Sequence, residues 1–239
     1  MDTIKINKGN VKMVAHRGVS GLEMENTLAA FVAAGNRSHY GIETDVHVTK
    51  DKQIAVIHDD NVKRVTGADR IVEESTLEEL QSLKLYDRME GHFRTDLRIP
   101  ILSEYISICK KYDKTAVLEL KNEMQAEDIR QIIQIIRKQN FLESVIFISF
   151  SWENMLEIRR QLPKQKAQYL AMECDQELIQ KLAENKLDLD IYYKAITKEL
   201  VEALHAAGIE VNCWTVDLPE DAKKMVACGV DYITSNILE

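Results

Sequence analysis

Short apolar, β-branched runs alternate along the chain with segments in which apolar residues return every three to four positions. This is the pattern expected of βα units and a parallel sheet. Eight runs stand out: KMVAH (12–16), GIETDV (41–46), TAVLEL (115–120), VIFIS (145–149), AQYLA (167–171), LDIYY (189–193), VNCWTV (211–216) and DYITS (231–235). Helical-period segments lie between most of them, including NTLAAFVAAGN, AEDIRQIIQIIRKQN, WENMLEIRRQL, TKELVEALHAAG and LPEDAKKMVACG. Two of these end in Ala-Gly or Cys-Gly, the glycine stop expected just past a helix C-terminus. Eight such units predict an α/β chain folded as a closed (β/α)8 or TIM barrel, with an open doubly wound sheet as the rival. No G-x-G-x-x-G fingerprint is present, which leans against the open sheet. The chain stops soon after the eighth run, so a full eighth helix is missing or is supplied by other segments.

The rhythm breaks once, between about 47 and 100, an interval longer than a βα connection needs. It reads as a small insertion after the second strand of a single domain spanning 1–239. Its first part, VHVTKDKQIAVIHD, predicts a β-hairpin around Lys50, Asp51 and Lys52. With the turn centred between Asp51 and Lys52, Asp45 lies opposite His58. Alternation along the strand then puts Glu43, Asp45 and His58 on one face.

Composition changes this picture little. The chain has 239 residues, 45% of them hydrophobic and 29% charged, enough for a sizeable core. The formal net charge of −8 repels nucleic acid and acidic membrane surfaces, so any anionic substrate needs a local basic cluster. The opening MDTIKINKGN lacks the apolar core of a secretion signal, and no run is long enough to cross a bilayer, so a cytoplasmic chain without stable membrane insertion is expected. A mature chain trimmed of its signal would look the same. Cys109, Cys174, Cys213 and Cys228 lie far apart with no C-x-x-C spacing, which predicts reduced thiols rather than a zinc knuckle or redox pair. Composition leaves homo-oligomer formation open.

In a barrel of this class the active site lies at the C-terminal ends of the strands. Strand one ends in His16-Arg17-Gly18, strand two carries Glu43 and Asp45, strand three carries Glu119 and Lys121, and strand seven ends in Trp214. Taken singly, each acid is more often a solvated or ion-paired residue. Three converging at one mouth would repel one another unless protons or a cation intervened, and hard oxygen ligands suit Mg²⁺ or Ca²⁺. His16 and His58 directly end apolar runs, and imidazole is suited to moving protons near neutral pH. His39, His47, His92 and His205 are read as structural, with His47 the least secure because it shares the Glu43 and Asp45 face. Arg17 and Lys121 supply a fork and a point charge for a phosphate. Trp214 divides between core packing and a pocket wall.

The ordered set HRG at 16–18, ENT at 25–27, IETDV around Glu43 and Asp45, IHDD at His58, LELK at Glu119 and Lys121, and a late WTV resembles the glycerophosphodiester phosphodiesterases. The resemblance runs from strand one nearly to the C-terminus. It implies a (β/α)8 barrel with a small insertion. It also implies divalent-cation-dependent hydrolysis of small glycerophosphodiesters to sn-glycerol 3-phosphate and an alcohol. By motif, His16 and His58 would be the acid/base pair, Glu43, Asp45 and Glu119 the metal ligands, Arg17 and Lys121 the phosphate holders, and Trp214 a substrate contact. Two departures stand out: Met24 where relatives usually carry proline before Glu-Asn-Thr, and TSNIL where many end the last strand in a Thr-Asp-x-Pro-like sequence. Two competing functions follow from the same residues: lysophospholipase D-type cleavage of lysolipids, and a catalytically silent phosphate-binding module.

Overall fold

The computed structural model describes residues 2–87 and 92–239. Eight parallel strands close into a barrel: β1 (Lys12–Ala15), β2 (Gly41–Val48), β6 (Thr115–Leu120), β7 (Val145–Ser149), β8 (Ala167–Ala171), β9 (Asp188–Tyr192), β10 (Val211–Trp214) and β11 (Tyr232–Ser235). Closure comes from β1, which pairs with both β11 and β2. Helices α1 (Leu28–Gly35), α4 (Leu102–Lys111), α5 (Ala126–Lys138), α6 (Trp152–Gln161), α7 (Gln176–Asn185), α8 (Lys198–Ala206) and α9 (Pro219–Cys228) fill the seven crossovers.

Helix α5 shows how sequence selects these elements. Ile129, Ile132, Ile133 and Ile136 recur at helical spacing and are buried, Glu127 and Asp128 sit in the first turn, and Arg137 and Lys138 sit in the last. The apolar stripe packs on the sheet while both charged ends complement the helix dipole. The glycines after α8 and α9 adopt φ of 77° and 88°, the left-handed stop their sequences predict. Inside the barrel, Val14, Val117, Ile146, Ile148, Leu170 and Tyr232 form a packed cluster, so the barrel is plugged below its C-terminal mouth.

No eighth helix follows β11 among the described residues. Instead the tail runs extended: Gly21 N–H donates to the Asn236 carbonyl, His39 bonds the Leu238 carbonyl, Ile4 N–H donates to the Ile237 carbonyl and Glu239 N–H donates to the Ile4 carbonyl. Since Gly21 precedes α1 and His39 follows it, the tail covers the flank of α1 that an eighth helix would cover.

The long interval after β2 holds β3 (Ile54–Val56), the short helices α2 (Lys63–Thr66) and α3 (Leu77–Gln81), and a paired β4 (Leu85–Tyr86) and β5 (Phe93–Arg94). It has a satellite core of its own, built from Ile57, Val62, Val65, Val72, Leu80, Leu85, Leu97 and Ile99. The hairpin forms, but its expected register is off by one: Val46 faces Val56, His47 faces Ala55 and Val48 faces Ile54. The turn is centred on Asp51, because residues 50–52 form a three-residue loop with Lys52 at φ 61° and the Thr49 hydroxyl accepting from Gln53 N–H. Asp45 therefore lies opposite Ile57, whose N–H donates to its carbonyl, and His58 stands beyond the ladder.

Candidate active site

Two neighbouring strands, β2 and β6, assemble the acidic cluster. Alternation along β2 turns Glu43 and Asp45 into the barrel mouth, and the β2–β6 register sets Asp45 directly beside Glu119. One oxygen from each of Glu43, Asp45 and Glu119 lies within 4.8 Å of the others, and all three residues are buried. Two unit charges at such a separation repel by about 3 kcal/mol at an effective dielectric near 20. Burial, then Asp45 and Glu119, push the Glu43 carboxyl well above its ordinary range; burial and Asp45 push Glu119 up to about 8. Burial also opposes ionisation of Asp45, but Arg17 and Lys121 outweigh it and hold that carboxyl well below its usual range. The cluster is short of positive charge, and Asp45 Oδ1 has no hydrogen-bond partner. A small set of oxygen donors with one orphaned atom fits a hard divalent cation, and among the described residues no other His, Cys, Asp or Glu group is close enough to hold one.

The HRG and ENT stretches lock this cluster in place. Arg17 at φ 53° and Asn26 at φ 54° both take the left-handed conformation, which costs non-glycine residues energy. In return, Arg17 N–H donates to Glu43 Oε2 at 2.8 Å, Asn26 Nδ2 donates to Asp45 Oδ2 at 2.7 Å, and Asn26 N–H donates to the Arg17 carbonyl. Gly18 follows at φ 75°, where a Cβ would lie 2.6 Å from the Ala30 backbone, so only glycine lets the turn pack on α1. Glu25 receives Arg17 Nη1 at 2.8 Å and a bidentate pair from Arg64 of α2. Thr27 caps α1 by accepting from Ala30 N–H.

The two histidines differ in what stands behind them. His16 Nε2 lies 4.0 Å from Glu43 Oε2, while its Nδ1 is 2.7 Å from Asn236 Oδ1. The Asn236 amide is oriented by Asp217, whose Oδ2 accepts from Asn236 Nδ2 at 2.6 Å. Burial, then the Arg17 guanidinium, push His16 down to about 4. His58 instead has its Nδ1 2.7 Å from Asp59 Oδ1, and Arg64 grips the other Asp59 oxygen at 2.6 Å. Burial pushes His58 down, with Asp45 and Asp59 pulling the other way. Lys121 reaches Glu119 at 2.8 Å and Asp45 at 3.6 Å.

All eight residues singled out from sequence meet at the mouth. A narrow cleft of about 60 Å³ is lined by His16, Arg17, Glu43, His58, Glu119, Lys121 and Trp214, with Ile148, Phe150, Leu170, Asp190 and Thr234, while Asp45 lies just behind it. Larger surface hollows occur elsewhere, at the opposite end of β8 and beside α7, but they hold none of this chemistry. Trp214 packs edge-on against Phe150 and tilted against Tyr192.

Sequence reading missed four participants. His47, set aside as structural, is fully buried, with Nε2 3.1 Å from the His58 carbonyl. Asn236 and Asp217 stand behind His16; the TSNIL departure was the signal for Asn236, and the acid directly after WTV the signal for Asp217. Asp190 faces the cleft from within LDIYY, where an acid inside an apolar run was the available clue.

The model of the Glycerophosphoryl diester phosphodiesterase family matches residues 16–238. A glycerophosphodiester phosphodiesterase of Caldanaerobacter subterraneus subsp. tengcongensis is 33% identical over 230 residues, covering 94% of this chain and 93% of that protein. A phosphodiesterase of Oleispira antarctica, solved in complex with the product sn-glycerol-3-phosphate, superposes with a TM-score of 0.87 at 25% identity, over 98% of this chain and 96% of that one. A glycerophosphodiester phosphodiesterase of Parabacteroides distasonis gives a TM-score of 0.80 at 28% identity, over 95% and 93%.

Proposed function

The chain belongs to the glycerophosphoryl diester phosphodiesterase family and is a glycerophosphodiester phosphodiesterase, and we propose that it performs this hydrolysis with one divalent cation and two histidines in unlike roles. The observation that carries the reading is the meeting of three buried carboxylates and two differently backed imidazoles at one cleft. We read the chain as one barrel domain with the 47–100 segment as its insertion, working on water-soluble diesters in the cytoplasm.

Glu43, Asp45 and Glu119 would hold the cation, Mg²⁺ or Ca²⁺, which when bound would offset the charge of the phosphodiester. Arg17 and Lys121 would grip the phosphoryl oxygens, and Trp214 would bound the substrate on the far wall. Asn236 Oδ1 can only accept, so His16 keeps its proton on Nδ1 and turns the Nε2 lone pair to the cleft. That makes His16 the base that takes the proton of the attacking hydroxyl. The Asp59 carboxylate behind His58 opposes part of the fall that burial causes, so of the two rings His58 is the better placed to carry a proton and is the acid that protonates the leaving alkoxide. Glycerol 3-phosphate and the free alcohol are the products. The apolar insert residues Leu80, Leu83 and Leu85 are used in the satellite core, which leaves them unavailable to an acyl chain.

The decisive experiment follows release of glycerol 3-phosphate from several glycerophosphodiesters, with and without chelator. Release that stops with chelator and returns with Mg²⁺ or Ca²⁺ is expected. Cation-dependent binding without product would instead indicate a silent binding module, and faster turnover of lysolipids than of their deacylated counterparts would indicate the lysophospholipase D reading.

A further inference from the structure

Every other carboxylate around the cleft has a donor or a cation of the protein beside it. Glu43 and Asp45 share Arg17, Glu119 has Lys121, Glu25 has Arg17 and Arg64, and Asp59 has Arg64 and His58. Asp190 is the exception among the described residues. It sits on β9 with 2% of its surface exposed, lines the cleft, and its Oδ1 has no hydrogen-bond partner. The nearest charge acting on it is the like charge of Glu119, and burial pushes its carboxyl well above the ordinary range. An unpaired buried acid costs roughly 1–3 kcal/mol or more, so its retention in an otherwise apolar wall calls for a partner that arrives from outside.

The wall around it suggests the partner. Ile148 and Leu170 line the same cleft as Asp190, and so do Trp214 and Phe150, whose rings meet edge-on at 5.7 Å. Trp214 Nε1 donates to the backbone carbonyl of Asp190, which ties the indole to the same strand. A buried acceptor that shares a cleft with aromatic rings is an environment in which an ammonium group is well held, by the ion pair and by the ring quadrupoles.

We propose that Asp190, with Trp214 and Phe150, forms a subsite for a protonated amine on the alcohol half of the substrate, so that amino-alcohol esters are preferred over uncharged ones. This rests on the phosphodiesterase reading above and adds to it the class of alcohol. The primary ammonium of an ethanolamine ester brings both the charge and the N–H donors that Asp190 lacks; the hydroxyls of a glycerol or sugar ester bring no charge.

The test compares glycerophosphoethanolamine with glycerophosphoglycerol in the cation-loaded enzyme, for the wild type and for Asp190→Asn. The wild type should favour the ethanolamine ester in kcat/KM by roughly tenfold or more, the worth of one charged hydrogen bond. Asp190→Asn keeps the shape and removes the charge, so the ratio should fall towards one, the larger loss falling on the ethanolamine ester. A wild-type ratio near one overturns the proposal without any variant. A variant that loses both activities equally overturns it too, since Asp190 would then serve the glycerol half that all substrates share. Absence of turnover on either ester under any cation would sink the phosphodiesterase reading itself, a separate outcome.

Discussion

At the N-terminal end of the barrel, Lys12 donates to the Tyr232 hydroxyl at 3.0 Å, that hydroxyl donates to Glu210 at 2.9 Å, and Lys166 closes the circuit on Glu210 at 2.6 Å. At the C-terminal end, Arg17 Nε, Asp45 Oδ1, His47 Nδ1 and Asp190 Oδ1 are buried without hydrogen-bond partners; elsewhere among the described residues His39 Nδ1 and Glu239 Oε2, beside the chain tail, are the others, and no atom of the Lys12–Glu210 circuit is orphaned. Both clusters plug the same barrel with similar residues. One is finished by the protein; the other is left incomplete. Buried polar groups are nearly always satisfied in folded chains, so a concentration of exceptions at one end marks where binding, rather than stability, shaped the residues.

The sharpest way to break this comparison is to disable each end in turn. His16→Ala and His58→Ala should each lower kcat by roughly 10²-fold or more, with melting temperatures close to the parent's. Glu210→Ala should do the opposite, leaving kcat unchanged while costing about 0.5–1 kcal/mol, since Lys12, Lys166 and Glu210 are partly solvent-exposed. Near-normal turnover in both histidine variants would reject their assigned roles. A loss of activity in Glu210→Ala that matches the loss at the mouth would dissolve the division between the two ends.

Less drastic is the removal of the cation. Burial and Asp45 raise Glu119 to about 8, above its ordinary value of 4.5. A carboxyl that binds its proton more tightly folded than unfolded contributes stability at low pH, and that contribution drains away as pH climbs to the folded value. In chelator, the melting temperature should therefore fall between pH 6.5 and 8.5, a window above the one in which the depressed His16 and His39 titrate. Mg²⁺ or Ca²⁺ should flatten that fall, and Glu43→Gln should lessen it without added metal. Equal melting of the chelated protein at both pH values would show that the acids are not the uncompensated cluster described here. The Lys12–Glu210 circuit carries no such mismatch and should contribute nothing to the effect.

The two ends were not equally legible in the sequence. All eight strands follow from their apolar runs, because a parallel sheet covered on both faces writes itself as continuous β-branched stretches. HRG, the β2 acids and LELK could be placed at the mouth because each ends such a run. His58 was placed there through a hairpin register that is wrong by one residue: no glycine marks the left-handed turn position that Lys52 occupies, and a side chain beyond the ladder is free to turn back to the cleft. His47 was set aside because alternation names a face but cannot say that its ring supports the carbonyl of a residue eleven positions on. Asp217 and Asn236 follow the neighbouring strands β10 and β11, and they reach His16 only once β1 pairs with β11.

That last pair also yields the finest test. Asp217 has two jobs at 2.6 to 3.0 Å: one oxygen accepts from Asn236 Nδ2, and the other accepts from the Asn236 N–H and the Ser235 hydroxyl. A carboxylate can only accept, so it forces the amide of Asn236 to present oxygen, never nitrogen, to His16. With Asp217→Asn the amide loses that constraint. Some molecules would then offer an N–H to His16 Nδ1, move the ring proton to Nε2, and leave no lone pair facing the cleft. The loss should be roughly tenfold in kcat, with KM held, because the phosphate grip proposed for Arg17 and Lys121 does not pass through Asn236. A purely structural role for Asp217 would instead lower stability and disturb KM and kcat together, so the split between the two constants decides whether order at the mouth extends beyond the groups that touch the substrate.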